Sequence, residues 1–145
     1  MYEHVLIATD GSEVAQKAVD QGLALAKALN AKVTVITVTE PWFAVAPPYG
    51  PGDFPIEQYD KIAAEGAALI LREVEAAASR AGVACETLHV KDKFAAAGII
   101  ETARDHGCDI IVMSSHGRRG LTRLLLGSQA NKVVTLSTVP VLICR

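Results

Sequence analysis

The sequence predicts an α/β fold, an open five-stranded parallel sheet with helices on both faces, as one domain over residues 1–145. Three observations lead there. Short apolar, β-rich runs alternate with longer helical patterns, the signature of βαβ units. The runs at His4 to Thr9 (HVLIAT), Lys32 to Val38 (KVTVITV) and Asp109 to Ser114 (DIIVMS) are nearly continuously apolar, as strands become when helices cover both sides of the sheet. The length of 145 residues is typical of one domain, and such a chain buries about 68–70% of the surface its unfolded form exposes.

Each element follows from local pattern. The first strand leads into a helix whose Ala15, Ala18, Val19, Gly22, Ala26 and Leu29 share one face, with Asn30 as its stop. After the second strand, Glu40 to Pro55 holds five of the six prolines (Pro41, Pro47, Pro48, Pro51 and Pro55) and reads as a long loop. Trp42, Phe43, Tyr49 and Phe54 in it supply four of seven aromatic residues, so it either packs over the carboxyl edge of the sheet or forms a lid over a ligand. A second helix carries the stripe Ala63, Ala67, Ile70, Val74, Ala77 and Ala81 and ends at Gly82. The third strand, Cys85 to Val90, alternates more and suits an edge. Ala95 to His106, closed by Gly107, and Ser128 to Leu136 are the third and fourth helices. Pro140 to Cys144 is the last strand.

Composition narrows the classes of function. No apolar run approaches the roughly 20 residues of a membrane-spanning helix. The opening MYEHVLIATD runs directly into a strand without the look of a secretory leader, so the cytoplasm is the expected compartment. Cys85, Cys108 and Cys144 are odd in number and sit in apolar stretches, which suits reduced core thiols. A net charge of −2 provides no global field for nucleic acid, so any anion site must be local.

In open parallel sheets, ligands bind beyond the strand carboxyl ends. Two loops there carry candidate residues. Ala8-Thr9-Asp10-Gly11-Ser12-Glu13 enters the first helix; Asp10 or Ser12 suits an N-cap, and Asp10 with Glu13 has the spacing of an acidic capping box. Ser114 to Ser128 (SSHGRRGLTRLLLGS) leaves the fourth strand with small residues and three arginines, then delivers Gly127-Ser128 to the last helix. Glycines there let the backbone approach a polyphosphate, helix-start N–H groups donate to its oxygens, and the helix dipole favours its charge. An ordinary N-cap within a solvated loop is the alternative.

The segments VLIATDGSE, DIIVMSSHGRRGL, LLLGSQANKVV and VPVLIC resemble the universal stress protein A (UspA) family over essentially the whole chain. Its nucleotide-binding branch carries G-x-x-G, nine residues, then G-[ST]. Gly117, nine residues, Gly127 and Ser128 fit, and Ser114 stands where the first glycine is expected. The resemblance implies a Rossmann-like sheet ordered 3-2-1-4-5, similar to the adenine nucleotide alpha hydrolases. It implies ATP as ligand, with Mg2+ or Mn2+ held mainly by the phosphates. It places Ala8, Thr9, Asp10 and Val38 on the adenine and ribose side, Met113, Ser114 and His116 beside the nucleoside, and Gly117, Arg118, Gly127, Ser128, Gln129 and Ala130 around the phosphates. It also implies a homodimer through the last strand, Val139 to Cys144, whose apolar edge is otherwise an aggregation hazard.

The residues argue for binding rather than catalysis. His4 and His89 fall in strands and His106 in a last helical turn, leaving His116 in the site with a positioning role. There is no G-x-x-x-x-G-K-[ST] segment, no acidic pair beyond Asp10 for a dedicated metal cage, and no G-x-G-x-x-G after the first strand. The expected function is an ATP-binding regulatory module of the stress response, with slow or no hydrolysis and no catalytic residue. The alternatives are a signalling protein of the same fold that binds no nucleotide, and an enzyme of this architecture: a slow ATPase, an adenylyl-transferring hydrolase or a flavodoxin-like redox protein.

Overall fold

Side chains along a strand point alternately to opposite faces of the sheet, so an unbroken apolar run feeds two cores. The computed structural model, which describes residues 1–45, 55–117 and 125–145, shows this division. Strands β1 (His4–Ala8), β2 (Lys32–Thr39), β3 (Glu86–Lys91), β4 (Ile110–Ser114) and β5 (Val141–Cys144) form one sheet in the order β3-β2-β1-β4-β5. All four pairings are parallel, with Leu6 opposite both Thr34 and Ile111. Val5, Ile7, Val33, Val35 and Val112 pack on one face against helices α1 (Glu13–Leu29) and α3 (Ile56–Ala81). Leu6, Ile36, Ile111 and Met113 pack on the other against α4 (Ala95–Asp105) and α5 (Ser128–Leu136).

The covering helices are rich in alanine, which lets them lie close to the sheet. Gly22 of α1 takes this furthest: a Cβ there would stand 2.6 Å from the Ile7 Cδ1. Asn30 closes α1 in the left-handed conformation (φ 54°), and its backbone N–H reaches the Ala26 and Lys27 carbonyls. Gly82 closes α3 in the same way.

Several boundaries differ from the sequence reading. Helix α4 ends at Asp105, and His106 is its cap rather than its last turn. The segment read as one loop over 40–55 contains a short helix, α2 (Trp42–Val45), and α3 begins at Ile56, a full two turns before its apolar stripe. The first turns of α3 are exposed and polar (Glu57, Gln58, Asp60, Lys61), so they carry no periodic signal. Pro41 and Pro55, read as helix breakers, lie just before α2 and α3, where a fixed φ and a missing N–H cost nothing. Pro47, Pro48, Tyr49, Pro51 and Phe54 lie outside the described residues. Phe43 is 71% exposed and meets Phe94 edge-on with 6.4 Å between ring centres.

The three cysteines are free thiols. Cys108 is buried, and desolvation first, then Asp109 and Glu86, push its pKa up to about 11. Burial also raises Cys85 and Cys144.

Candidate functional site

The chain builds outward from β1 to β2 and β3, then crosses back to lay β4 on the other side of β1. That reversal opens a crevice at the carboxyl ends of β1 and β4. The loops after these two strands are the ones singled out in the sequence.

The β1 loop is folded on itself. The Thr9 backbone N–H donates to the Ile36 carbonyl at 2.9 Å, and the Thr9 Oγ1 accepts from the Gly11 N–H at 3.1 Å. Asp10 Oδ1 accepts from the Ser12 N–H at 3.0 Å, a side-chain turn that mimics a backbone turn. Ser12, not Asp10, is the N-cap of α1, its Oγ accepting from the Ala15 N–H at 3.2 Å. The Asp10–Glu13 capping box expected from spacing is therefore absent, because Asp10 lies two residues before the cap and turns onto the loop.

The β4 loop closes against it. Gly117 approaches so near that a Cβ there would stand 2.5 Å from Asp10 Oδ2. At the other end of the loop, Gly127 is the N-cap of α5, and a Cβ on it would meet the Ser115 carbonyl oxygen at 2.8 Å and the His116 Cδ2 at 3.6 Å. The Gly127 N–H donates to that same carbonyl at 2.8 Å. Gly127 is thus required by the close approach of backbone, whereas the neighbour of Gly117 is the far end of the Asp10 side chain, which can turn aside. Gly127 offers no side-chain cap, so the first N–H groups of α5 face the crevice end of the sheet uncapped by their own N-cap residue.

The structure brings Thr9, Asp10, His116, Gly117, Gly127 and Ser128 to this crevice. Ala8, Val38, Met113 and Ala130 instead belong to the apolar core beneath it. Arg118 lies outside the described residues. Gln129 turns away from the α5 start: its Oε1 accepts from the Ala96 N–H at 3.0 Å and so caps α4. Ser114 is buried, and its hydroxyl donates to the His116 carbonyl at 2.7 Å. The extra oxygen at the position where glycine is expected is thereby turned back onto its own loop. Ser115 was not among the candidates, yet its backbone bonds Cys144 and Gly127 and its hydroxyl meets His116. Its neighbours mark the loop in sequence, but nothing local marks the direction of its side chain.

A cavity of about 710 Å3 lies at the opposite end of the sheet beside His4, Lys32, Cys85 and His106. The carboxyl ends of α1 and α3 converge on it at Asn30 and Gly82. Helix carboxyl ends repel anions, unlike the start of α5, although Lys27 and Lys32 also line this cavity. No group of three or more histidine, cysteine or acidic side chains among the described residues is placed to hold a metal ion. None of the helices searched is long and apolar enough to cross a membrane.

The sequence model of the universal stress protein family matches residues 1–145. The chain belongs to that family. Universal stress protein YxiE of Bacillus subtilis is 33% identical over 150 residues, covering 100% of both chains. Universal stress protein MJ0531 of Methanocaldococcus jannaschii is 32% identical over 146 residues, covering 100% of this chain and 83% of its own. Among solved structures, the protein MJ0577 superposes with a TM-score of 0.82 at 27% identity, covering 99% of this chain and 96% of its own. A universal stress protein solved in complex with cAMP gives 0.70 at 28% identity, covering 98% and 95%. Within the universal stress protein family, then, the five-stranded 3-2-1-4-5 sheet matches the expected architecture.

Proposed function

We propose that this universal stress protein binds ATP in the crevice between the β1 and β4 loops and acts as a regulatory binding module rather than an enzyme. The observation that carries this is Gly127, which gives α5 a start without a side-chain cap at a point where a Cβ would collide with the Ser115 carbonyl, with Gly117 beside Asp10 where the two loops meet. Such a start places backbone N–H groups and the positive end of the helix dipole beside phosphate oxygens. The relative solved with cAMP, an adenine nucleotide, supports the choice of ligand. Mg2+ or Mn2+ is held mainly by the phosphates. Arg118 adds its charge at the phosphates, Thr9 lies on the nucleoside side, and Ala8, Val38 and Met113 of the core beneath, with buried Ser114, form its floor. The protein works as a cytoplasmic homodimer through Val139 to Cys144.

Calorimetry with ATP and Mg2+, together with nucleotide release from denatured preparations, tests this reading. Binding heat or released adenine nucleotide is expected; neither, in folded protein, favours the nucleotide-free signalling alternative. Turnover above about one per second, toward the low end of ordinary enzyme rates, would replace the binding reading with an ATPase.

A further inference from the structure

We propose that Ser115 is a positioning residue of this site, its hydroxyl holding the His116 imidazole in the tautomer and orientation that present an Nε2–H donor to an anionic oxygen at the start of α5. The identity of that anion rests on the nucleotide reading above; the arrangement of the ring does not.

The Ser115 side chain has little freedom. Its backbone is pinned on both sides, the N–H donating to the Cys144 carbonyl at 2.9 Å and the carbonyl accepting from Gly127 at 2.8 Å. The residue is only 4% exposed. Its Oγ lies 3.0 Å from His116 Nδ1. A neutral imidazole has one N–H donor and one bare acceptor, and a serine hydroxyl has one hydrogen to place. Among the described residues, Nδ1 is the acceptor within reach of that hydrogen. Buried hydroxyls are satisfied, so Ser115 donates and Nδ1 accepts. The ring proton is then on Nε2.

The other edge of the ring has a defined neighbour. His116 Cδ2, the carbon bonded to Nε2, lies 3.6 Å from where a Gly127 Cβ would be. The ring edge that runs from Cδ2 to Nε2 is therefore the one beside the N-cap of α5. Ser115 thus adds a side-chain N–H donor to the backbone donors of the helix, and it does so through His116 without touching the ligand.

Side-chain 15N NMR of the ligand-free protein at about pH 8, where histidine is neutral, reads the tautomer directly. The expected result is an Nε2–H ring with Nδ1 as acceptor, and nitrogen shifts in Ser115→Ala that move toward the average of the two tautomers. An Nδ1–H ring in the wild type overturns the proposal, even if the variant is unstable. Shifts unchanged in a folded Ser115→Ala protein overturn it as well. For ATP, Ser115→Ala should weaken binding about three- to tenfold, the range of a single lost hydrogen bond. Ser115→Ala added to His116→Ala should cost nothing more, since the serine acts through the ring. Additive losses overturn the positioning role. If the wild type binds no ATP, the nucleotide reading fails while the NMR result still decides the ring arrangement.

Discussion

A methyl group at position 127 would meet the Ser115 carbonyl oxygen at 2.8 Å, and that carbonyl is already bonded to the Gly127 N–H. Two backbone segments would have to part, and overpacking of this kind costs about 1–3 kcal/mol. Gly127→Ala should therefore weaken ATP binding by about tenfold or more, tenfold being about 1.4 kcal/mol, while far-ultraviolet circular dichroism keeps its native shape. Unchanged affinity in calorimetry would place the nucleotide elsewhere. The two glycines stood out in the sequence because their spacing fits the motif of the family it resembles. The hydroxyl of Ser114, the hub at Ser115 and the turn of Gln129 toward Ala96 were not, because each direction is set by a partner that only the fold supplies. A second residue gives a pH test. His89 Nε2 lies 2.6 Å from the Thr39 Oγ1, tying edge strand β3 to β2, and desolvation, then Lys91, lower its pKa. A histidine with a lowered pKa takes up its proton less readily in the folded protein than in the unfolded chain, which does so below about 6.5, so stability rises with pH through that window. The urea midpoint of the wild type should fall more between about pH 7.5 and 5.5 than that of His89→Gln. Parallel falls would show that His89 does not contribute.

Helices α1 and α3 each carry a glycine in their interior, and the two make a controlled contrast. At Gly66 a Cβ would meet nothing within 4 Å among the described residues, whereas at Gly22 it would stand 2.6 and 2.7 Å from two carbons of Ile7. Both substitutions by alanine gain the same helix propensity, about 1 kcal/mol. Gly66→Ala should raise stability by about 0.5–1 kcal/mol. At Gly22→Ala overpacking of about 1–3 kcal/mol offsets that gain, for a net loss of up to about 2 kcal/mol. Equal shifts in denaturation midpoint would mean that α1 does not rest on β1 as closely as described. The cap of α1 separates two readings in the same way. Ser12→Ala removes the hydroxyl that accepts from Ala15 and should cost about 1 kcal/mol. Helices with an apolar stripe were legible from period alone. The start of α3 and the whole of α2 were not, since exposed polar turns and prolines at helix starts give no periodicity to read.

Across the sheet, the two edges differ in a way that bears on assembly. Strand β3 (ETLHVK) is bounded by Glu86 and Lys91, charges that discourage pairing with another chain. Strand β5 (VLIC) has no charge along its length, and Leu142 is 38% exposed on it. The strand set was legible in the sequence, because each run is apolar and punctuated, but the order of strands came only with the family resemblance. Local pattern does not say which strand lies beside which. If β5 pairs with its copy, light scattering should return twice the 15.3 kDa mass of the chain at micromolar concentration. Leu142→Lys puts a charge on each copy at the shared edge, where like charges repel and each lysine must lose water, so the variant should scatter as one chain. The substitution leaves the β4–β5 ladder in place, including the bond from Ser115 N–H to the Cys144 carbonyl that ties β5 to the β4 loop. Loss of the dimer should therefore leave the fold intact, and a Leu142→Lys protein that remains dimeric would move the interface away from β5.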